Sequence, residues 1–150
     1  ALRGPNRDGH AFVASALEQG AALAIVDRDF PPSAHEEKLL RVDDTMAALN
    51  DLGRASRARA AKAKIIAVTG SAGKTSTKEF LAAYPNAYAS PSSFNNFWGV
   101  PLTLCNASPD ASAWVVEMGM NQTGEIARLS ELTKPTVALV VNVQPVQLEE

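Results

Sequence analysis

The sequence predicts an α/β protein: a small N-terminal α/β unit, then a P-loop-type, mostly parallel sheet flanked by helices and incomplete in this chain. Two observations predict this. After Lys64, short apolar runs alternate with helical patterns, as in strand–helix–strand units. Nearer the start, a helix, a glycine and a short strand form a separate pattern. We place the N-terminal unit at 1–50, a helical linker at 51–63 and the larger part at 64–150.

Composition and charge exclude several classes of protein. A formal net charge of -2 gives no general attraction to nucleic acid or anionic membranes. No apolar run is long enough to span a bilayer. The single Cys105 rules out an internal disulfide framework, suits a reducing cytoplasm and is interpreted as a small core residue. We expect a cytoplasmic monomer that binds no nucleic acid and, since it begins at Ala1, a piece of a longer protein.

The first elements lie in "GHAFVASALEQGAALAIVD". Four apolar residues share one face of a predicted helix: Phe12, Val13, Ala16 and Leu17. Gly20 ends this helix, and residues 24–26 form a short apolar strand. A loop rich in proline and charge follows at 27–37.

A second helix begins near Asp43 or Asp44, either of which is a good N-cap. Three apolar residues then recur at helical spacing: Met46, Leu49 and Leu52. The helix leads into a basic run made of Arg54, Arg57, Arg59, Lys62 and Lys64. Such a run suits contacts with phosphates, but its cations are spread around the helix. We therefore interpret it as a solvated helix end at a domain boundary.

In the second part, "KIIAVT" is a continuously apolar run typical of a parallel strand buried on both faces. A glycine-containing loop follows, then a helix predicted at 75–83 and a strand at 86–90. "VPLTLC" predicts a short helix with Pro101 in its first turn. "AWVVEMG" predicts a strand that ends in Glu117.

The remaining elements are one helix and one strand. Thr123 is a candidate cap for a helix that places three apolar residues on one face: Ile126, Leu129 and Leu132. Pro135 lies just beyond the end of this helix. "TVALVVN" predicts another buried strand.

The loop "VTGSAGKTS" lies between a buried strand and a helix, which is the context that a phosphate-binding loop requires. Gly70 and Gly73 allow positive φ, so that backbone N–H groups can approach an anion. Lys74 suits the β- and γ-phosphates of a nucleotide, and the Thr75 hydroxyl suits Mg²⁺. The common pattern would place a glycine where Val68 lies. The simpler alternative is a strand–helix turn with a solvent-facing lysine.

Glu117 supports the nucleotide hypothesis. Because the carboxyl ends of parallel strands face one crevice, Lys74, Thr75 and Glu117 are expected to meet at one edge of the sheet. Mg²⁺ bridges phosphate oxygens and takes carboxylate ligands there.

These residues carry a resemblance to a known family. "TGSAGKTS" resembles the Thr-Gly-x-x-Gly-Lys-Thr loop of the Mur ligases, in which the first glycine is shifted. "SFNNFWGVPLTL" and "VVEMGMNQTGEIARLSELTKPTVALVVNV" resemble the branch that uses D-alanyl-D-alanine, rather than the branch that adds diaminopimelate or lysine. "ALRGPNRDGHAFVASALEQGAALAIVD" resembles the family's uridine-nucleotide-binding N-terminal domain.

The resemblance implies an ATP- and Mg²⁺-dependent ligase of peptidoglycan precursor synthesis. ATP would phosphorylate the terminal carboxylate of UDP-MurNAc-tripeptide, and the amine of D-alanyl-D-alanine would attack the acyl phosphate. It implies that residues 70–76 bind the nucleotide: Gly70, Ser71, Ala72, Gly73, Lys74, Thr75 and Ser76. Lys74 and Glu117 are then catalytic, and Thr75 and Glu117 hold the metal.

The resemblance also implies substrate contacts. Asn95 and Asn96 lie beside the acyl substrate, although turn formation is an equally good account of them. A polar loop would face the UDP-sugar through Arg3, Asn6, Asp8 and His10. Asp8 followed by Gly9 and a helix is also simply a turn and a cap.

Three departures from the family limit what we expect of this chain. Gln147 stands where the family has a histidine at a second metal site, and a neutral amide is a poorer ligand. The helix after the loop is shorter than the family's. The chain also stops before the family's carbamylated lysine and C-terminal domain. We therefore expect an inactive fragment, and two alternatives stay open: a switch-type P-loop NTPase, or a non-catalytic UDP-sugar-binding remnant.

Overall fold

The computed structural model describes residues 1–4 and 6–144. These residues form two compact units, the first ending at Leu49 and the second beginning at Asn50. Gln147 lies outside the described residues. Both units are built from parallel strands with helices on the sheet, so the predicted α/β class is confirmed. Among the residues described, no helix combines the length and apolarity needed to cross a membrane.

The first unit contains a two-stranded parallel sheet. A 3-10 turn at Gly9–Phe12 leads into α1 (Val13–Glu18) and β1 (Ala24–Asp27). A second 3-10 turn at Glu36–Lys38 precedes β2 (Leu39–Val42), which pairs with β1. β2 is not evident from the sequence, because it has only four residues and follows a proline-rich loop.

The core of the first unit is small. Val13, Leu17 and Val26 are buried and pack together. Phe12 and Ala16 were predicted to share an apolar face with Val13 and Leu17. That prediction is wrong for these two residues, since both side chains are exposed. Phe12 lies in the 3-10 turn before α1, and a 3-10 turn rotates its side chains differently from an α-helix.

The helix α2 spans Thr45–Arg59. Asp44 is its cap, since its Oδ1 accepts hydrogen bonds from the N–H of Met46 at 2.7 Å and of Ala47 at 3.0 Å. Leu49 is buried, whereas Leu52 is 47% exposed, so the predicted apolar stripe does not continue to Leu52.

The second unit has a four-stranded sheet in which every pairing is parallel. Its strands are β3 (Lys64–Thr69), β4 (Ala87–Ala89), β5 (Ala113–Glu117) and β6 (Val137–Val140), in the order β4-β5-β3-β6. The helices are α3 (Lys74–Ala82), α4 (Gly99–Asn106) and α5 (Glu125–Thr133). The core includes Ile65, Leu104, Trp114, Val116, Leu129 and Leu132. These bounds agree closely with the predicted elements.

Residues of the second half of α2 pack inside this second unit. The Ser56 hydroxyl donates to the carbonyl of Leu104 at 2.6 Å, and Ala60 and Ala63 lie in the core. Arg57 was predicted to be part of a solvated helix end. Instead its guanidinium donates to the carbonyl of Thr133 at 3.0 Å, because the last carbonyls of α5 lack partners within that helix.

Two further predictions are wrong. β6 is not buried: Val137 is 47% exposed and Val140 56%, because β6 is the last strand of the described sheet. Thr123 does not cap α5. The N-cap position is occupied by Gly124, with φ 90° and no side-chain cap. The turn before the helix is held by Glu125, whose Oε2 accepts from the N–H of Asn121 at 2.6 Å.

Candidate functional site

The sheet register brings the predicted site residues to one edge. Val68 pairs with Glu117, and Thr69 pairs with Val140. The loop after β3, the last residue of β5 and the segment after β6 therefore meet at the carboxyl ends of three adjacent strands. In parallel α/β sheets this edge is where ligands bind.

The loop between β3 and α3 has the backbone of an anion-binding turn. Gly70 has φ 142° and Gly73 has φ 79°, values that residues with a side chain rarely adopt. Gly73 lies at the N-terminus of α3, where the helix dipole favours negative charge. The Lys74 ammonium donates to the carbonyl of Gly70 at 2.7 Å. The lysine is thus held at the loop itself, not extended into solvent as in the simpler alternative.

Glu117 lies at the centre of a polar cluster. Its side chain accepts hydrogen bonds from Thr75 Oγ1 at 3.0 Å, through Oε2, and from Asn95 Nδ2 at 2.8 Å, through Oε1. The residue is only 1% exposed, and its N–H donates to Ser90 Oγ at 3.1 Å. A carboxylate buried this deeply is tolerated because both of its oxygens are hydrogen-bonded.

The Thr75–Glu117 pair suits Mg²⁺. Hydroxyl and carboxylate oxygens are the ligands that this ion prefers. Among the described residues, no group of three or more His, Cys, Asp or Glu side chains could hold a metal. Thr75 and Glu117 would hold the ion together with phosphate oxygens and water, as is usual for Mg²⁺ that accompanies a nucleotide.

The two asparagines predicted to face the substrate do different things. Asn95 contacts Glu117 as described above. Asn96 Oδ1 accepts from the N–H of Trp98 at 3.1 Å and of Gly99 at 2.9 Å, which fixes the start of α4. The side-chain carbonyl of Asn96 therefore has the turn-forming role that the sequence left open as an alternative.

Asn142 was not selected from the sequence, yet it binds the loop directly. Its backbone carbonyl accepts from the N–H of Ser71 at 3.2 Å, and its Oδ1 accepts from the N–H of Ala72 at 2.9 Å. A Cβ added to Gly70 would lie 3.0 Å from the Asn142 backbone. Ser71 Oγ also exchanges two hydrogen bonds of 2.9 Å with the backbone of Gln144. Asn142 comes just after β6 and so, like Glu117, lies at the carboxyl end of a parallel strand, a position that the sequence pattern does indicate.

Lys78, in α3, was also missed. It is buried, and its ammonium donates to the carbonyls of Ser90 at 2.8 Å and Ser92 at 2.6 Å. One sequence feature points to it: Lys78 lies four residues after Lys74 and so on the same face of the helix.

In the first unit, three of the four residues predicted to face the UDP-sugar come together around Asp27. Arg3 Nε lies 2.8 Å from Asp27 Oδ2, and the N–H of Asp27 donates to His10 Nε2 at 3.0 Å. His10 Nδ1 lies 2.6 Å from Asp8 Oδ1. Asn6 is exposed. Asp27 itself was not singled out, because at the end of a short strand it reads as the start of a loop.

These contacts affect one titration. The backbone N–H of His10 donates to Asp8, and so does its ring, and both hydrogen bonds lower the pKa of the Asp8 carboxyl. Elsewhere, burial raises the pKa of the half-buried Cys105 thiol, which keeps it protonated and suits a packing role.

Comparison with known proteins identifies the family. Residues 68–150 match the model of the Mur ligase middle domain. Two relatives named UDP-N-acetylmuramoyl-tripeptide–D-alanyl-D-alanine ligase come from Synechocystis sp. and Escherichia coli. The first is 40% identical over 95% of this chain and 32% of its own length. The second is 38% identical over 99% of this chain and 33% of its own length.

Solved structures agree. A crystal structure of MurF from Acinetobacter baumannii has a TM-score of 0.86 and 36% identity, over 100% of this chain and 33% of that one. MurF from Thermotoga maritima in complex with ADP has a TM-score of 0.77 and 29% identity, over 95% and 33%. The chain spans about a third of the length of these relatives. The resemblance found in the sequence is confirmed: the chain belongs to the Mur ligase family.

Proposed function

We propose that this chain is the nucleotide-binding part of an ATP-dependent ligase that joins D-alanyl-D-alanine to UDP-MurNAc-tripeptide. The observation that carries the proposal is the array of Thr75, Glu117 and Asn95 beside the phosphate-type loop. The names of the relatives and the ADP in the Thermotoga maritima protein support it. We also propose that it acts in the cytoplasm, as a monomer, on UDP-MurNAc-tripeptide and D-alanyl-D-alanine.

The first step would move the γ-phosphoryl group of ATP to the substrate carboxylate. A carboxylate oxygen attacks phosphorus and the bond to the ADP oxygen breaks. In the second step the amine of D-alanyl-D-alanine attacks the acyl carbon, inorganic phosphate leaves, and the amine loses a proton. Both early reactants are anions, so their approach requires fixed positive charge.

Lys74 supplies part of that charge. Its ammonium is already fixed at the loop by the Gly70 carbonyl, so little reorganisation is needed when phosphate binds. Residues 70–76 surround the phosphates, with the N-terminus of α3 behind them. Thr75 and Glu117 would hold Mg²⁺, which when bound neutralises charge on the phosphates.

Asn95 and Glu117 act as a pair. Because Asn95 binds Oε1, the Glu117 carboxylate is fixed with Oε2 toward Thr75. Asn95 and the amide group of Asn96 also lie on the segment proposed to meet the acyl substrate. Arg3, Asn6, Asp8 and His10 are proposed to bind the UDP-sugar.

The test is an assay of phosphate release by the protein that the longest reading frame containing this chain encodes. With ATP, Mg²⁺ and both substrates, release should be accompanied by UDP-MurNAc-pentapeptide, and omission of either substrate should abolish it. Nucleotide hydrolysis that does not depend on UDP-MurNAc-tripeptide would instead indicate a switch-type NTPase. Binding of UDP-MurNAc-tripeptide with no ATP turnover would indicate a UDP-sugar-binding remnant.

A further inference from the structure

Lys78 is a buried lysine that has no part in the proposed reaction. It is 1% exposed, which is within the range of the buried hydrophobic core residues. Moving an ammonium out of water is unfavourable unless its N–H donors are satisfied. Here three acceptors surround it: the carbonyls of Ser90 and Ser92, and Glu79 Oε1 at 2.9 Å. A lysine has three N–H donors, so its capacity is filled.

The segment that Lys78 binds is conformationally unfavourable by itself. Ser92 has φ 47°, in the left-handed region that residues other than glycine seldom occupy. Such a residue persists only where its surroundings hold it, and the hydrogen bond from Lys78 ends on its carbonyl. The lysine thus fixes the middle of segment 90–95 onto α3.

Both ends of this segment are hydrogen-bonded to Glu117, and its Asn95 end is also bonded to Gly119. Ser90 Oγ accepts from the N–H of Glu117, and Asn95 Nδ2 donates to the Glu117 carboxylate. The Asn95 carbonyl accepts from the N–H of Gly119 at 2.8 Å. A change in the middle of the segment is therefore transmitted to both the backbone and the side chain of Glu117.

We propose that Lys78 is a positioning residue. From α3 it holds segment 90–95 so that Asn95 keeps the Glu117 carboxylate directed at Thr75. The positioning of segment 90–95 follows from the contacts above, whereas the effect of Lys78 on ligand binding rests on the proposed function. A lysine with a merely structural role would support the stability of the whole unit without a specific effect at Glu117.

Amide hydrogen exchange tests the structural part without any ligand. In Lys78→Met the N–H of Gly119 should exchange at least about tenfold faster, because the Asn95 carbonyl is no longer held. The neighbouring N–H of Met118, which donates to Val68 within the sheet at 2.8 Å, should be unchanged. Lys62→Met, at an exposed lysine, is the matched control. Equal exchange at Gly119 in Lys78→Met and in the unaltered chain would overturn the proposal.

The binding part is tested by the gain in ATP affinity that Mg²⁺ produces. Lys78→Met should reduce this gain by about threefold to tenfold and leave Mg²⁺-free ATP affinity unchanged, because Lys74 and the loop are intact. An equal loss with and without Mg²⁺ would indicate a general defect and overturn the proposal. If the unaltered chain binds no ATP, the proposed function fails, and the exchange result still decides the role of Lys78.

A double-mutant cycle checks that Lys78 acts through Asn95. If it does, the single variant Asn95→Ala should lower the gain in ATP affinity that Mg²⁺ produces. Adding Asn95→Ala to Lys78→Met should then lower that gain little further. Fully additive losses would contradict the proposal. If Lys78→Met does not fold, Lys78→Gln replaces it. Its neutral amide still donates but reaches less far, and faster exchange at Gly119 is again expected.

Discussion

The Thr75 hydroxyl donates a 3.0 Å hydrogen bond to Glu117, which joins the first turn of α3 to the last residue of β5. The two residues are 42 positions apart in sequence, and parallel pairing of β3 with β5 brings them together. This contact unites the loop that suits phosphate with the carboxylate that suits Mg²⁺.

Lys74→Ala should weaken ATP binding. A charge-assisted contact to phosphate contributes on the order of 1.5–3 kcal/mol, or about a tenfold to hundredfold change in affinity. Titration calorimetry of the chain with ATP measures it, and Lys62→Ala, at an exposed lysine, is the control. Unchanged affinity in Lys74→Ala would show that the loop does not bind phosphate in the proposed way.

Asn142→Asp should separate the loop's structure from its charge. An aspartate oxygen can still accept from the N–H of Ala72, so the melting temperature should change little. Its negative charge beside the loop should lower ATP affinity by on the order of tenfold, and less at high salt. Adenosine, which has no phosphate, serves as the control ligand. An equal loss for adenosine and ATP would indicate that the loop had been distorted.

Asp8 should titrate below the ordinary pKa of an aspartate, about 3.9. The hydrogen bonds from His10 favour the ionised form in the folded state. They therefore stabilise the fold above the unfolded-state pKa, and this stabilisation is lost as pH falls through the lower folded-state pKa. NMR titration of the Asp8 carboxyl carbon gives the midpoint. A midpoint at or above about 3.9 would contradict the assignment of these contacts.

The two units should fold largely independently. A polypeptide of residues 50–150 retains Ser56 and Ala60, which pack in the second unit, and should reproduce the amide chemical shifts of β3 and β5 in the full chain. Residues 64–150 lack those contacts and should be less stable by at least about 2 kcal/mol. Loss of the β3 and β5 shifts in the 50–150 polypeptide would show that the units depend on one another.

The sequence by itself determined most of the second unit and the centre of its site. Continuous apolar runs predict β3 and β5, because strands covered on both faces exclude polar residues. The glycines at 70 and 73 and the lysine after them predict the loop, because that backbone requires residues without a Cβ. Glu117 follows from its place at the end of an apolar strand.

Only the tertiary structure decided which other polar groups are bonded inside the second unit. The positions of Lys78 and Asn142 hint at a place near the site, but the partners of Lys78, Asn142 and Arg57 are distant in the chain and cannot be predicted from local pattern. Arg57 reaches the carbonyl of Thr133, 76 positions away. The exposure of β6 is likewise a matter of strand order: Val137 and Val140 form an apolar run that local pattern cannot distinguish from a central strand. The periodic pattern of apolar residues reflects local conformational preference, whereas burial and hydrogen bonding depend on which distant residues the fold brings into contact.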